Sequence, residues 1–187
     1  MKPTMPIYIP NAIANAAEIF DHLWKNLPWE QREAPRKEVF FSDKGEPYTY
    51  GEGAYARTYA PNPVWDEICK GIQAQAEAQY GCKFEALFIN GYENQHNHLG
   101  WHADDSPSID HSRPILVYSF GAVRELWFKP RPPRVPEGEA AEVVKVSLAS
   151  GSLLEMPAGM QHLDLHRIPK HSAACGPRIS LTFRGLL

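Results

Sequence analysis

Apolar residues recur at helical spacing in two stretches near the start of the chain. Residues 11–25 and 63–80 each carry an apolar stripe with a period of about 3.6, typical of an amphipathic helix. Asn11 is the expected N-cap of the first helix, and Gly81 is the expected end of the second. The pattern therefore predicts two amphipathic helices that can cover one face of a sheet.

From residue 84 onward the pattern changes to short extended runs separated by turn residues. The predicted strands are 84–90, 114–120, 124–128, 142–148, 152–156, 163–166 and 178–183. Shorter extended pieces at 39–41 and 48–50 precede the second helix. Regular short strands indicate a sandwich or barrel. We therefore predict a mainly β member of the α+β class, with two N-terminal helices packed on one sheet and no helix after residue 84.

Composition is consistent with one folded domain over residues 1–187. The chain is 43% hydrophobic and 22% charged, which argues against both disorder and a membrane class. No apolar run approaches the roughly 20 residues of a spanning helix, and residues 1–6 lack the apolar core of a signal peptide. The three cysteines are odd in number and show no metal-type spacing. We therefore expect a cytoplasmic protein with reduced thiols. We also expect no membrane partner and a monomer.

The formal net charge of −3 argues weakly against a large electrostatic contact with nucleic acid. The local distribution can override that total. Basic residues cluster at 32–37 and again at 129–134, and either cluster could contact phosphates. Charge alone favours the simpler interpretation of two solvated loops.

Metal-capable side chains are concentrated between residues 90 and 106. His102 and Asp104 lie two residues apart, so on an extended strand their side chains would point to the same face. A divalent ion requires at least one more ligand. Non-haem iron oxygenases use two histidines and one carboxylate, which leaves three coordination positions open. The candidates for the third ligand are His111, His162, His166 and His171, and periodicity alone does not choose between His162 and His166.

Polar and apolar residues alternate strictly along residues 178–184. Arg178 and Arg184 share one face with Ser180 and Thr182, whereas the other face is apolar. Two guanidinium groups facing an interior require an acid opposite them. A small dicarboxylate would satisfy both through charge-assisted hydrogen bonds, and 2-oxoglutarate is a dicarboxylate that also chelates iron.

With these motifs in place, the chain resembles the AlkB family of iron(II) and 2-oxoglutarate dioxygenases, and within it the animal double-stranded-DNA repair branch. The matching motifs are Asn90-Gly91-Tyr92, His102-Ala103-Asp104-Asp105, His166-Arg167-Ile168-Pro169 and the strand that ends in Leu181-Thr182-Phe183-Arg184. The resemblance implies a double-stranded β-helix, or jelly-roll. Residues 84–187 would form its core, and residues 1–80 would supply the helices and a nucleotide-recognition lid.

The resemblance also implies a role for each matching residue. His102, Asp104 and His166 would hold Fe(II) and be the catalytic residues, with His166 preferred to His162. Arg178 and Tyr92 would bind the distal carboxylate of 2-oxoglutarate. Asn90 and Arg184 would hold its metal-bound end, and Thr182 would line the pocket. O2 would be the second co-substrate.

The implied substrate is an alkylated base in DNA or RNA, from which a methyl group would be removed oxidatively with release of formaldehyde, succinate and CO2. Tyr50 and Tyr48 match aromatic residues that stack on the extruded base, and Arg36 matches a basic loop beside the nucleic acid. Ser106 stands where the family commonly has an acid, so Asp105 is the candidate for that role. Two alternatives remain, namely a hydroxylase of a protein, lipid or free nucleotide, and a non-catalytic binding module.

Overall fold

A computed structural model describes residues 1–32, 35–50 and 56–187, and of residue 50 it describes the backbone alone. The strands are β1 (Ile7–Ile9), β2 (Glu30–Gln31), β3 (Lys37–Ser42), β4 (Tyr48–Tyr50), β5 (Arg57–Tyr59), β6 (Ala86–Tyr92), β7 (Leu99–His102), β8 (Ile115–Gly121), β9 (Arg124–Pro130), β10 (Val144–Leu148), β11 (Ser152–Met156), β12 (Asp164–Ile168) and β13 (Arg178–Arg184). The helices are α1 (Ala16–Asn26), α2 (Glu67–Tyr80) and α3 (Met160–Leu163).

Two antiparallel sheets face each other in the described part of the chain. The large sheet has the strand order β1-β11-β8-β13-β6-β3-β2, and the small sheet has the order β10-β9-β12-β7. A separate ribbon pairs β4 with β5. Strands that are distant in sequence are neighbours in both sheets, which is typical of a rolled double sheet. The predicted jelly-roll fold is confirmed.

The outer face of the large sheet carries one hydrophobic core. Leu23 of α1 and Cys69 of α2 are fully buried there against the odd-numbered residues of β13, such as Leu181. Burial of a leucine-sized side chain contributes about 1.5–3 kcal/mol, so these contacts hold the helices on the sheet. The prediction that two N-terminal helices pack on one sheet is confirmed.

A second core fills the space between the two sheets. It contains Val117 and Leu154 from the large sheet and Leu126 and Phe128 from the small one. The even-numbered residues of β13 face this space, because successive side chains of a strand point to opposite faces. The polar face of β13 is therefore enclosed between the sheets.

Both helices begin later than the sequence pattern predicts. Asn11 does not cap α1, which starts at Ala16, and both Asn11 and Asn15 adopt positive φ angles that asparagine tolerates. In α2 the side chain of Asp66 accepts hydrogen bonds from the backbone N–H groups of Ile68 and Cys69, so the helix starts at Glu67. Gly81 ends this helix in a left-handed conformation, as predicted.

Two further features differ from the predicted organisation. Residues 1–80 contribute β1, β2 and β3 to the large sheet, so the sheet is not confined to residues 84–187. The four-residue helix α3 interrupts the C-terminal half, which was expected to contain strands alone, and it is too short to produce a helical period in the sequence. No helix in the described part of the chain has both the length and the apolar character needed to cross a bilayer.

Candidate metal centre and co-substrate pocket

Three metal-capable side chains converge between the two sheets. His102 ends β7, and His166 lies directly opposite it in β12, with their ring centroids 4.1 Å apart. Asp104 Oδ1 lies 3.7 Å from His102 Nε2. Each of the three residues offers one ligand atom, and these atoms all lie within 4.8 Å of one another. Two imidazoles and one carboxylate at this spacing can hold one divalent ion on one face.

Asp104 reaches the cluster in a different way from that expected. Strand β7 ends at His102, so Asp104 lies beyond the strand and not on it. Its backbone N–H donates to Gln161 Oε1 of α3 at 2.9 Å, and its Oδ2 accepts from Arg184 Nη2 at 2.7 Å. These two contacts fix the segment that follows β7, so Asp104 Oδ1 faces His102.

Protonation states in the cluster favour metal binding. His102 Nδ1 lies 2.9 Å from the Gly100 carbonyl oxygen, which can only accept, so Nδ1 carries the proton and Nε2 keeps its lone pair. Burial lowers the pKa of His166 to about 3, and the neighbouring His102 adds to that effect. Burial alone would raise the pKa of Asp104, but the charge and hydrogen bond of Arg184, together with the two neighbouring histidines, outweigh burial and hold this pKa well below its usual range. Neutral imidazoles beside an ionised carboxylate are the forms that bind a metal ion.

Arg178 presents a buried positive charge in the same space. It is fully buried, and its Nη2 donates to Ser119 Oγ at 2.9 Å. Its Nε and Nη1 atoms have no hydrogen-bond partner among the described residues. Burial lowers the pKa of Arg178 to about 10, while Tyr92, whose ring centroid lies 5.3 Å from Cζ, opposes that shift. Unsatisfied donors on a buried guanidinium are costly, so the geometry fits an anionic ligand.

A cavity joins Arg178 to the metal-capable cluster, and all three residues of the cluster line it. All five residues predicted to bind 2-oxoglutarate line this cavity. They are Asn90, Tyr92, Arg178, Thr182 and Arg184. The cavity therefore has a cationic end and a metal-capable end, which is the polarity that a chelating dicarboxylate requires.

A second cavity shares His102 and Asp104 with the first. Tyr48 and Arg36, both predicted to bind substrate, line it together with Tyr59. Arg36 is not part of a solvated basic loop, because it is buried and its Nε donates to Asn90 Oδ1 at 2.7 Å. The backbone of Tyr50 belongs to β4, whereas its side chain lies outside what the structure describes.

Asp105 is not among the residues that line either cavity. It is exposed, and its Oδ2 accepts from Arg131 Nη1 at 2.9 Å. His162, the alternative third ligand, is also away from the cluster, since it packs against His111 with ring centroids 4.3 Å apart. The structure thus brings His166 and not His162 to His102.

Sequence reasoning did not single out four residues that support these cavities. They are Tyr59, Ser119, Gln161 and Glu38, and the last of these forms an ion pair with Arg36 at 2.8 Å. Only Tyr59 carried a signal, because tyrosines are dense between residues 48 and 59. Ser119 and Gln161 act through contacts with Arg178 and Asp104, which are far away in the chain, and periodicity does not reveal such contacts. Glu38 pairs with Arg36, two residues before it, and no sequence pattern marks that pair.

Comparison with known proteins agrees with the metal-capable cluster and co-substrate pocket described above. Residues 5–184 match the family model of the 2OG-Fe(II) oxygenase superfamily. The chain is 34% identical over 177 residues to the bovine alpha-ketoglutarate-dependent dioxygenase alkB homolog 3, covering 92% of this chain and 62% of that protein. It is 31% identical over 188 residues to the human DNA oxidative demethylase ALKBH2, covering 93% of this chain and 70% of that protein.

A solved structure, that of OsALKBH1, shares the fold with a TM-score of 0.64 at 15% identity, and the match covers 99% of this chain and 98% of that one. This likeness supports the jelly-roll architecture alone. The match to the superfamily extends over nearly all of the sequence, and the human ALKBH2 match covers more than two thirds of that protein. The chain therefore belongs to the AlkB family of the 2OG-Fe(II) oxygenase superfamily.

Proposed function

We propose that this chain removes alkyl groups oxidatively from nitrogen atoms of DNA or RNA bases, using Fe(II), 2-oxoglutarate and O2. One observation carries the proposal: His102 and Asp104 of the metal-capable cluster line both a cavity with a buried, unsatisfied guanidinium and a second cavity lined by aromatic residues. The relatives described as a dioxygenase and a DNA oxidative demethylase support the same reaction class.

His102, Asp104 and His166 would be the metal ligands and the catalytic residues. Their donor set, two imidazole nitrogens and one carboxylate oxygen, is that of non-haem iron oxygenases. Arg184 would keep Asp104 ionised and oriented, because both its Nε and its Nη2 donate to Asp104 Oδ2. Asp104 Oδ1 then remains available for the metal.

The co-substrate would lie in the cavity that joins Arg178 to the metal-capable cluster. Arg178 would donate to its distal carboxylate through the Nε and Nη1 atoms that now lack partners, with Tyr92 beside them. Asn90 and Arg184 would contact its metal-proximal end, and Thr182 would line the wall between them. Because Asn90 Oδ1 already accepts from Arg36, its NH2 group is the part that can donate to a carboxylate.

When bound, iron with 2-oxoglutarate and O2 supplies the oxidation of a carbon–hydrogen bond, and 2-oxoglutarate leaves as succinate and CO2. The chain's own task is to hold the substrate carbon close to the metal and to exclude water. If the hydroxylated carbon is a methyl group on a base nitrogen, it then leaves as formaldehyde and the unmodified base is restored.

The second cavity would receive the alkylated base, flipped out of a duplex where the substrate is double-stranded. Tyr48 and Arg36 would contact the base there. Tyr50, whose side chain is not described, stays a prediction as a stacking residue. Asp105 also stays a prediction as a substrate contact, and its pairing with Arg131 gives that role no support.

The direct test is to incubate the protein with Fe(II), 2-oxoglutarate and an oligonucleotide carrying 1-methyladenine or 3-methylcytosine. The expected result is formaldehyde and restored base, with succinate formed in step with repair, and no formaldehyde from the matched unmethylated oligonucleotide. Succinate without base repair would favour a hydroxylase of a protein, lipid or free nucleotide. Absence of co-substrate consumption with every candidate would favour a binding module.

Gln161→Leu is expected to weaken Fe(II) binding about tenfold, the lower end of the effect of losing an outer partner of a metal ligand. Gln161 is buried, and its Oε1 is the acceptor for the backbone N–H of Asp104. Anaerobic metal titration measures the change. Gln161→Glu keeps an acceptor at the same position and should retain more of the affinity. Equal Fe(II) affinity in the leucine variant and the wild type would contradict this positioning role.

Tyr48→Phe is expected to raise the KM for the methylated oligonucleotide about 2- to 10-fold, the value of one neutral hydrogen bond. The Tyr48 hydroxyl is buried beside the second cavity and has no partner among the described residues. Burial raises the pKa of Tyr48, so the hydroxyl remains a donor. Steady-state kinetics measure the KM, and thermal unfolding measures stability. The variant should be no less stable than the wild type, because the hydroxyl that it loses has no partner among the described residues.

Tyr59→Phe is the matched control for this prediction. The Tyr59 hydroxyl donates to Glu38 Oε2 at 3.1 Å inside the protein, so its loss should lower stability. An unchanged KM in Tyr48→Phe would show that its hydroxyl does not contact the substrate.

We also propose that residues 1–187 act as one domain in a cytoplasmic monomer. Strand β1 at the start of the chain pairs with β11, which supports a single folding unit. The three cysteines are free thiols, which fits a reducing compartment. Size-exclusion chromatography with light scattering would test the oligomeric state.

A further inference from the structure

The outer face of the small sheet carries a row of cations stacked on indole rings. We call it the cation–tryptophan stripe, formed by Lys145, Trp127, Arg167, Trp101 and Lys129. Lys145 Nζ lies 4.2 Å from the Trp127 ring centroid, and Lys129 Nζ lies 4.6 Å from that of Trp101. Arg167 Cζ lies between the two rings, 4.4 Å from Trp127 and 4.7 Å from Trp101. The stripe crosses all four strands of the sheet.

The positive charge of the stripe is not neutralised by any carboxylate among the residues that the structure describes. None of its three cations forms an ion pair with a carboxylate in the described ranges, and Arg167 Nε has no hydrogen-bond partner there. The nearby Arg131 and Arg134, by contrast, pair with Asp105 and Asp164. A chain with a net charge of −3 thus keeps an uncompensated basic row on one face.

Glu125 is the one carboxylate that contacts the stripe in the described part of the chain, and its recorded contact is with an indole and not with a cation. Glu125 Oε2 accepts from Trp127 Nε1 at 2.7 Å, which orients the indole ring and leaves both lysines unpaired. Cation–π contacts hold the ammonium and guanidinium groups in place, so less side-chain entropy is lost when an anion binds. The stripe is therefore a preorganised surface for a row of negative charges.

The location of the stripe relates it to the metal-capable cluster. Trp101 and Arg167 are the chain neighbours of His102 and His166, on the opposite faces of the same two strands. Strand β7 is an edge of the small sheet, and its Leu99 and His102 line the second cavity. A polymer that crosses this edge can therefore contact the outer face and the cavity at the same time.

We propose that the cation–tryptophan stripe binds the phosphate backbone of the nucleic-acid strand that flanks the target base. The inference rests on the proposed function for the choice of polymer, and on charge complementarity for the binding itself. At about 4.8 Å per strand, the four strands span roughly 14 Å, enough for a short run of successive phosphates. The stripe then provides contact with the strand that does not depend on the base being repaired.

The test is a binding titration with a fluorescein-labelled, unmethylated thymidine homopolymer of about 16 nucleotides, followed by fluorescence anisotropy at several salt concentrations. We expect Lys129→Gln with Lys145→Gln to lower affinity at least about tenfold at low salt. Loss of two phosphate contacts should also reduce the slope of log K against log salt by about 1.4, at about 0.7 per contact on single strands.

Lys25→Gln with Lys83→Gln is the charge-matched control, because Lys25 belongs to α1 and Lys83 pairs with Glu77 of α2, so both lie on the helix side of the molecule. This control should bind the homopolymer as the wild type does. Equal affinity and salt slope in the stripe variant and the control would overturn the proposal. Equally tight binding of a glutamate polymer, lost in the same variant, would also overturn it and assign the stripe to an acidic protein.

The outcome is separable from that of the demethylation assay. Wild-type formaldehyde release from a methylated oligonucleotide, combined with homopolymer binding that the stripe variant leaves unchanged, would remove the stripe proposal and leave the proposed function standing. Loss of binding in the variant, combined with no formaldehyde from any methylated oligonucleotide, would keep the stripe as a nucleic-acid surface and remove the demethylase proposal.

Discussion

His102→Ala is expected to abolish 2-oxoglutarate-dependent turnover and to leave the protein folded. The imidazole is one of three side chains whose ligand atoms lie within 4.8 Å of one another, and two remaining ligands do not complete the facial set. The loss should exceed the roughly 10- to 100-fold that removal of an outer partner costs. Co-substrate consumption measures turnover, anaerobic Fe(II) titration measures metal binding, and thermal unfolding measures stability.

His162→Ala is the control for this prediction, because His162 was the alternative third ligand and the structure packs it against His111. It should bind Fe(II) and turn over as the wild type does. Intact turnover in His102→Ala, or loss of Fe(II) binding in His162→Ala, would refute the ligand assignment.

Asp104→Ala should also abolish turnover, but it is a less clean variant. Removal of this carboxylate leaves Arg184 buried without the acid that both its Nε and its Nη2 contact. Breaking a buried ion pair by removing one partner costs about 3–5 kcal/mol. We therefore expect Asp104→Ala to be less stable than the wild type as well as inactive.

Arg178→Met is expected to raise the KM for 2-oxoglutarate at least about 100-fold while sparing Fe(II) binding. Two charge-assisted hydrogen bonds to the distal carboxylate, worth about 1.5–3 kcal/mol each, would be lost. Without co-substrate, the variant should be at least as stable as the wild type, because it removes a fully buried guanidinium with two unsatisfied nitrogens. Kinetics and thermal unfolding with and without 2-oxoglutarate measure both effects.

Ser119→Ala provides the graded comparison. Ser119 Oγ is the acceptor that now positions Arg178 Nη2, so its loss should raise the KM for 2-oxoglutarate less than tenfold, close to one neutral hydrogen bond. If Arg178→Met left the KM for 2-oxoglutarate unchanged, Arg178 would not be the anchor for the dicarboxylate.

The residues that sequence analysis placed well are those whose pattern is local. Alternation along residues 178–184 put Arg178 and Thr182 on one face, and the structure encloses that face between the sheets. The spacing of His102 and Asp104 predicted convergence, although Asp104 reaches the cluster from beyond β7. Period-2 patterns report which side of a strand a residue occupies, so they carry this information directly.

Other parts of the site depend on contacts that local patterns do not contain. Spacing left His162 and His166 equivalent, and the pairing of β12 with β7 distinguishes them. Gln161 holds Asp104 from a helix of four residues, which is too short to show a helical period. The cation–tryptophan stripe is also tertiary, since its members come from four strands and each is unremarkable within its own segment.

The basic cluster at residues 129–134 illustrates the same limit. From charge alone, these residues are predicted to form a solvated loop. In the structure Arg131 and Arg134 are neutralised by Asp105 and Asp164, whereas Lys129 belongs to β9 and stacks on Trp101. Which cations remain free depends on where distant carboxylates fold, and charge counting along the chain does not provide that.

The most direct test of the central claim is a crystal structure grown without oxygen in the presence of 2-oxoglutarate and Mn(II), whose anomalous scattering locates the ion. We predict one ion contacted by His102, Asp104 and His166, with the distal carboxylate of 2-oxoglutarate against Arg178 Nε and Nη1. An ion bound elsewhere, or a dicarboxylate that does not contact Arg178, would contradict the account.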